Sequence, residues 1–188
     1  MGAKTPKPTD RRVLRTKRTL RDALIALIQE RGFDQITVQD VCDRADIGRS
    51  TFYTHFADKE ELLSGGFDDL KAALQAQGTT QGRALGFVAG LIEHADEQRR
   101  LFRAVVGKRS SHAVQVRFRQ LLIELVEEDL SSVAGPGPVR DGTARYLAGA
   151  LLELLAWWVD GRSGLSTEAL EKLFHRLSAP TLAALRNR

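Results

Sequence analysis

The stretch RGFDQITVQDVCDRADIGRSTFYTHFADKEELL, residues 31–63, decides the fold of this chain. It holds two short helical segments separated by a tight turn. Thr37 is a favourable N-cap for the first segment, and Asp40 three residues later completes a variant of the capping box. The turn Asp46–Gly48 supplies an Asp that tolerates a left-handed backbone and a flexible Gly, and a second short helix is predicted over 49–56.

A longer amphipathic helix precedes this stretch. Its apolar residues from Leu20 to Ile28 recur at helical spacing on one face, and Gly32 is suited to end it. Two short helices joined by a tight turn, behind a longer helix, are the parts of a helix-turn-helix module. The third helix offers groups that hydrogen-bond and stack on base edges and phosphates, namely Arg49, Ser50, Thr51, Tyr53, Thr54 and His55.

The rest of the chain also has a helical pattern. A fourth helix is predicted to begin at Asp58 and to continue through Leu74, and further helices follow up to two long ones that flank Gly161. No strand alternation and no repeat is visible. We therefore expect an all-α protein with an N-terminal three-helix helix-turn-helix domain and a larger helical C-terminal domain. The expected division is a flexible basic arm over 1–12, a DNA-binding domain over 13–58, and a larger helical domain over 59–188.

The charge is unevenly distributed. The chain has 28 Lys and Arg against 24 Asp and Glu, and its net charge is +4. The residues up to Arg21 carry more than this whole excess, so the remainder is mildly acidic. A basic arm ahead of a near-neutral body indicates either a nucleic-acid contact or a solvated tail. A single cysteine, Cys42, fits a reducing compartment, and no apolar run approaches the ~20 residues that span a membrane. We expect a cytoplasmic protein without a membrane partner.

The stretch 31–63 resembles the TetR/AcrR family of transcriptional regulators. The order and spacing of the helices agree, as does the string F-Y-x-H-F-x-x-K-E-x-L at 52–62. Asp46 departs from the family pattern, which commonly has Gly there, and the turn can absorb the difference. With the preceding helix, the resemblance covers about a third of the chain. It implies that the helical domain over 59–188 is an effector-binding and dimerisation domain, without naming the ligand.

The resemblance also implies how the module meets DNA. Arg49 is the best candidate for reading a base, while Lys59 would meet a phosphate at the start of the fourth helix. Three residues have ordinary alternatives: Tyr53 in part of the core, His55 bonded to the backbone, and Lys59 as a plain surface charge. The predicted DNA contacts are Lys17, Arg18, Thr37, Arg49, Ser50, Thr51, Tyr53, His55 and Lys59.

The segment 146–159, YLAGALLELLAWWV, predicts a dimer. It is apolar on every side except at Glu153, and a helix that is apolar all round needs neighbours on both faces. One face can pack on its own domain, so the other needs a partner subunit, and the last helix would complete a four-helix interface. The effector-pocket candidates are His94, Phe102, Arg103, His112, Phe118, Leu122, Tyr146 and Trp157.

The sequence favours a DNA-binding protein over an enzyme or a metal-binding protein. The histidines lack metal-ligand spacing with one another or with Cys42, so we predict no metal and no cofactor. The sequence has no phosphate-cradling glycine loop, no G-x-S-x-G and no H-E-x-x-H, which argues against an enzyme. The leading hypothesis is a homodimeric repressor that binds a palindromic operator on double-stranded DNA and is released by a small-molecule effector. The alternative is an activator or an effector-independent DNA-binding protein.

Overall fold

The computed structural model describes residues 8–78, 84–108, 110–161 and 163–186, and the side chains of 8–10, 77 and 78 are not described. Most of the described residues are helical and none of them lies in a strand, so the prediction of an all-α fold is confirmed. The helices are α1 (Pro8–Arg31), α2 (Val38–Ala45), α3 (Arg49–His55), α4 (Lys59–Ser64), α5 (Phe67–Gly78), α6 (Phe87–Glu97), α7 (Arg99–Val106), α8 (His112–Leu130), α9 (Pro138–Val159) and α10 (Thr167–Arg186), with a short 3-10 turn at Phe33–Gln35.

The chain divides into two compact units, Met1–Gly66 and Phe67–Arg188. The predicted division at residue 58 would have left α4 with the second unit, whereas α4 packs on α1 within the first. The first unit has a small apolar core, in which α3 contributes Phe52. Ion pairs at the surface join α1 to α2, including Arg44 with both oxygens of Glu30.

The start of α1 differs from the prediction. The helix begins at Pro8, so the part of the basic arm from residue 8 to 12 is helical rather than flexible, and residues 1–7 of the arm lie outside the described residues. Proline is well tolerated in the first turn, where its missing N–H would have no partner. Because residues 8–12 are mostly polar, sequence analysis did not predict that the helix begins there.

A second difference concerns the fourth helix, which was predicted to continue from Asp58 to Leu74. The structure divides it into α4 and α5 at Gly65 and Gly66. Both glycines have weak helix propensity, and the guanidinium of Arg21 on α1 donates to the Gly65 carbonyl at 2.8 Å. A carbonyl satisfied by a side chain no longer needs the amide of the next turn, which favours a break at this point.

The second unit is built around α8 and α9, which pack along each other, with α10 against α6 and α9. Its interior is apolar: among the described residues of this unit, Ser178 is the single polar residue that is buried. Trp158 is buried, donates its indole N–H to the Leu165 carbonyl at 2.8 Å and lies under the guanidinium of Arg99. In the described part of the chain, no helix is both long enough and apolar enough to cross a membrane.

Candidate nucleic-acid interface

One side of the helix α3 packs against the first unit, and the other side is exposed to solvent. Phe52 is its buried residue, with its ring 5.9 Å from the ring of Phe56 and 5.4 Å from that of Tyr53. The turn before it has the predicted left-handed residue, since Asp46 has φ of 53°, and Ile47 donates its N–H to Cys42. The tight turn and the Phe52 anchor therefore fix the direction of α3.

The open side of α3 carries four of the nine predicted DNA contacts. Arg49, Ser50 and Thr51 are exposed, and Tyr53 retains half of its exposure at 50%. The Arg49 guanidinium approaches the Tyr53 hydroxyl at 3.4 Å and lies 5.8 Å from its ring centroid. These two side chains contact each other, so the guanidinium of Arg49 is partly oriented before any ligand binds. His55 is half-buried, and its ring meets the edge of Phe56.

The start of α2 forms the predicted capping box. Thr37 accepts from the Asp40 amide at 3.2 Å, and the Asp40 carboxylate accepts from the Thr37 amide at 2.7 Å and from its hydroxyl at 2.6 Å. These bonds, together with Arg31 at 2.8 Å, hold the pKa of Asp40 well below its usual range. Thr37 is exposed, so the start of α2 is both rigid and open to solvent.

Basic side chains of α1 lie on two faces. The ammonium of Lys17 is half-buried, 5.6 Å from the ring centroid of Phe56, which places it beside α3. Arg11, Arg15 and Arg18 are exposed, and their spacing of four and three residues puts them on one side of the helix. These three arginines therefore form a basic stripe along one side of α1.

Lys59 is directed into the first unit. Its ammonium donates to the carbonyls of Phe33 and Ile36, at 3.0 and 2.8 Å, and lies 4.4 Å from the centroid of the Phe33 ring. Sequence analysis missed these acceptors because backbone carbonyls more than twenty residues away leave no pattern in the sequence.

The structure brings together four of the effector-pocket candidates. His94 on α6 meets the ring of Phe102 edge-on at 5.8 Å, and Phe102 meets Phe118 in the same way at 5.9 Å. Phe67 adds another ring to this series of aromatic contacts, with its centroid 5.4 Å from that of Phe118. Leu122 is buried one turn further along α8. His94 is half-buried and lies at the edge of this otherwise apolar cluster.

The other four candidates do not join that cluster. Arg103 and His112 are exposed, and Arg103 donates to the Val159 carbonyl at 3.1 Å. Tyr146 and Trp157 are 61% and 39% exposed on α9. A helix position that is apolar in the sequence can thus face outward, and the sequence could not show which of the two adjacent tryptophans would do so.

An apolar surface on α9 and α10 includes these exposed rings. We define it by Val139, Tyr146 and Trp157 on α9 and by Leu177 on α10, each at least 39% exposed. At one end an open groove of about 380 Å³ continues it, lined by Val139, Thr143, Pro180, Thr181, Ala184 and Leu185. Among the described residues, no group of His, Cys, Asp or Glu is arranged to hold a metal ion.

Comparison with known proteins agrees with this geometry. Residues 20–65 match the family model of bacterial regulatory proteins of the tetR family. A 58-residue stretch is 43% identical to YxbF of Bacillus subtilis, an uncharacterized HTH-type transcriptional regulator, and covers 30% of this chain but 15% of that relative. DhaS of Lactococcus lactis, the transcriptional activator of the dhaKLM operon, is 25% identical over 175 residues, which is 91% of each chain.

A solved structure extends the likeness to both units. The TetR transcriptional regulator from Streptococcus agalactiae is 29% identical, with a TM-score of 0.66, over 90% of this chain and 96% of that one. Residues 20–65 therefore carry the helix-turn-helix of the tetR family, and each of the two units resembles its counterpart in a TetR transcriptional regulator.

Proposed function

We propose that this protein is a homodimeric repressor that binds a palindromic operator and is released from it by a small-molecule effector. The observation that carries the proposal is the division of α3 into a buried anchor and an exposed polar side. Phe52 alone of that helix is buried, while Arg49, Ser50, Thr51 and Tyr53 face solvent. A short helix with an open side of donors and a ring suits the major groove.

Within this proposal each side chain has a role. Arg49 reads a base, since a guanidinium can donate two bonds to the acceptor edge of guanine, and the contact with Tyr53 limits its freedom beforehand. Ser50 and Thr51 enter the same groove. The contacts assigned to the sugar-phosphate backbone are Thr37, Tyr53, His55, Lys17 and Arg18.

The basic stripe of α1 adds to that set. Arg11, Arg15 and Arg18 are exposed and share one side of the helix. A row of guanidinium groups neutralises phosphates without reading sequence, and each neutralised phosphate steepens the salt dependence of binding.

A second copy of the chain is the proposed occupant of the apolar surface on α9 and α10. Regulators of the TetR family bind DNA and small-molecule ligands and are typically dimeric. The large side chains Tyr146, Trp157 and Leu177 would lose their exposure in a two-fold contact, which is the usual reason for such a patch. Two recognition helices could then enter successive major grooves about 34–36 Å apart.

The effector is proposed to act through the second unit. The cluster of His94, Phe102, Phe118 and Leu122 is the part of the predicted pocket that the fold brings together. We further infer a cytoplasmic regulator without catalytic activity, because DNA is the proposed partner of the exposed polar groups described above. An activator remains the second candidate, since the relative DhaS is named as one and matches over nearly its whole length.

The test begins with selection of the operator from random or genomic DNA with the purified protein. Arg49→Ala should then lower affinity for the selected operator by about 5- to 150-fold, as expected for a lost bidentate base contact of about 1–3 kcal/mol, and should leave affinity for scrambled DNA nearly unchanged. Arg117→Ala, which removes an exposed arginine of α8, is the matched control. An equal loss on both DNAs would contradict the base-reading role.

Transcription in vitro from a promoter that contains the selected operator separates the two candidates. A repressor lowers transcript yield and an activator raises it. A panel of small aromatic and aliphatic compounds then tests release. If no compound at any concentration changes operator affinity, the effector-independent alternative is favoured.

A further inference from the structure

The environment of Lys59 sets it apart from the other basic side chains near α3. Its ammonium makes two hydrogen bonds to backbone carbonyls, 3.0 Å to Phe33 and 2.8 Å to Ile36, and the Phe33 ring lies beneath it at 4.4 Å. Phe33 and Ile36 are both buried, so the charge sits against the core of the first unit. An ammonium has three donors, and two of them are used here.

These two carbonyls belong to the segment 33–36, which leads from α1 into α2. Gly32, with φ of 83°, immediately precedes this segment, and Ile36 at its end is followed by Thr37, the N-cap of α2. Lys59 is the first residue of α4. Its side chain thus connects the start of α4 to the backbone that ends at the start of α2.

We propose that Lys59 is a positioning residue for DNA binding: it fixes the segment 33–36, and through it the N-terminus of α2, and does not itself contact a phosphate. This rests on the proposed function, in which Thr37 and the helices α2 and α3 meet DNA. Two sets of hydrogen bonds fix the position of Thr37. One is its capping box with Asp40, and the other joins Lys59 to the carbonyl of Ile36, the residue before Thr37.

The two roles differ in their dependence on salt. A lysine that neutralises a phosphate releases a counterion, so its removal lowers the slope of log K against log salt by about 0.9. A lysine that only positions α2 changes affinity without changing that slope. Lys59→Met keeps most of the stem and removes the charge, and it is expected to weaken operator binding at least 10-fold with an unchanged slope. Arg18→Met, on the exposed stripe of α1, is the matched control and should lower the slope.

A measurement without DNA tests the positioning itself. In Lys59→Met, amide hydrogen exchange at Thr37 and the first turn of α2 should be faster than in the wild type, while exchange in α8 stays as it was. If Lys59→Met does not fold, Phe33→Leu removes the ring under the ammonium and is expected to give the same faster exchange with the same unchanged slope.

Three results would overturn the proposal: a slope lowered by about 0.9 in Lys59→Met, unchanged operator affinity, or unchanged exchange at the start of α2. Failure of the wild-type protein to bind any selected DNA would instead refute the proposed function. The exchange result would still decide whether Lys59 holds the segment 33–36, so the two failures are distinguishable.

Discussion

In the proposed dimer, truncation of Trp157 should separate the two subunits. This ring is 39% exposed on α9, and a fully buried aromatic side chain removes about 150–250 Å² from water, so about 60–100 Å² remains for a partner to cover. At about 25 cal/mol per Å² that area corresponds to about 1.5–2.5 kcal/mol for each subunit. Two-fold symmetry applies the loss twice, so Trp157→Ala should raise the dimer dissociation constant at least ~100-fold.

Sedimentation equilibrium over a dilution series measures that constant directly. Intrinsic fluorescence gives a second readout, because the chain has two tryptophans and Trp158 is 1% exposed within its own subunit. A red shift of emission on dilution therefore reports Trp157. Val116→Ala is the control, since Val116 is 48% exposed on α8, outside the apolar surface of α9 and α10. If Trp157→Ala dimerises as tightly as the wild type, the interface does not include this face of α9.

Two further predictions concern the first unit. Replacing Arg11 and Arg15 by Gln should weaken binding to every DNA sequence and reduce the salt slope by about 1.8, since two phosphate contacts are lost; an unchanged slope would show that the stripe is merely solvated. Replacing Gly65 and Gly66 by Ala should stabilise the protein by about 0.4–1 kcal/mol per site in urea unfolding, because a Cβ at either position meets its neighbours at 3.4 Å or more. A loss of stability would mean that the break between α4 and α5 needs glycine. If the effector releases the operator by bending the chain between α4 and α5, the same variant should also be released less readily by an effector found in the compound panel.

The sequence predicted the local signals of the first unit well. The capping box of Thr37 and Asp40 and the left-handed turn at Asp46 both depend on residues within a few positions of each other, and both are present. The two contacts that it missed are long-range. Arg21 reaches the Gly65 carbonyl across 44 residues, and Lys59 reaches Phe33 across 26. Both acceptors are backbone atoms, which every residue has, so composition and periodicity do not mark them.

The second unit was predicted less completely, for a different reason. The apolar pattern of 146–159 predicted a helix with two covered faces, yet it did not tell which residue belongs to which face. Tyr146 and Trp157 were assigned to an effector pocket and are exposed, whereas His94 and Phe102 from two other helices meet. Which helices are neighbours depends on the packing of the whole unit, and this is not contained in the period of any single helix.

The single anchor of α3 has a consequence for how this regulator can change over time. Because Phe52 supplies the buried contact of the helix, substitutions at Ser50, Thr51 and Thr54 remove little packing, and exposed positions of this kind usually alter stability by less than about 0.5 kcal/mol. With α3 as the proposed recognition helix, new operator preferences can therefore arise there by mutation without an accompanying loss of the folded state. For the same reason, these three positions are suitable for randomisation in a library aimed at new target sites, with Phe52 left untouched.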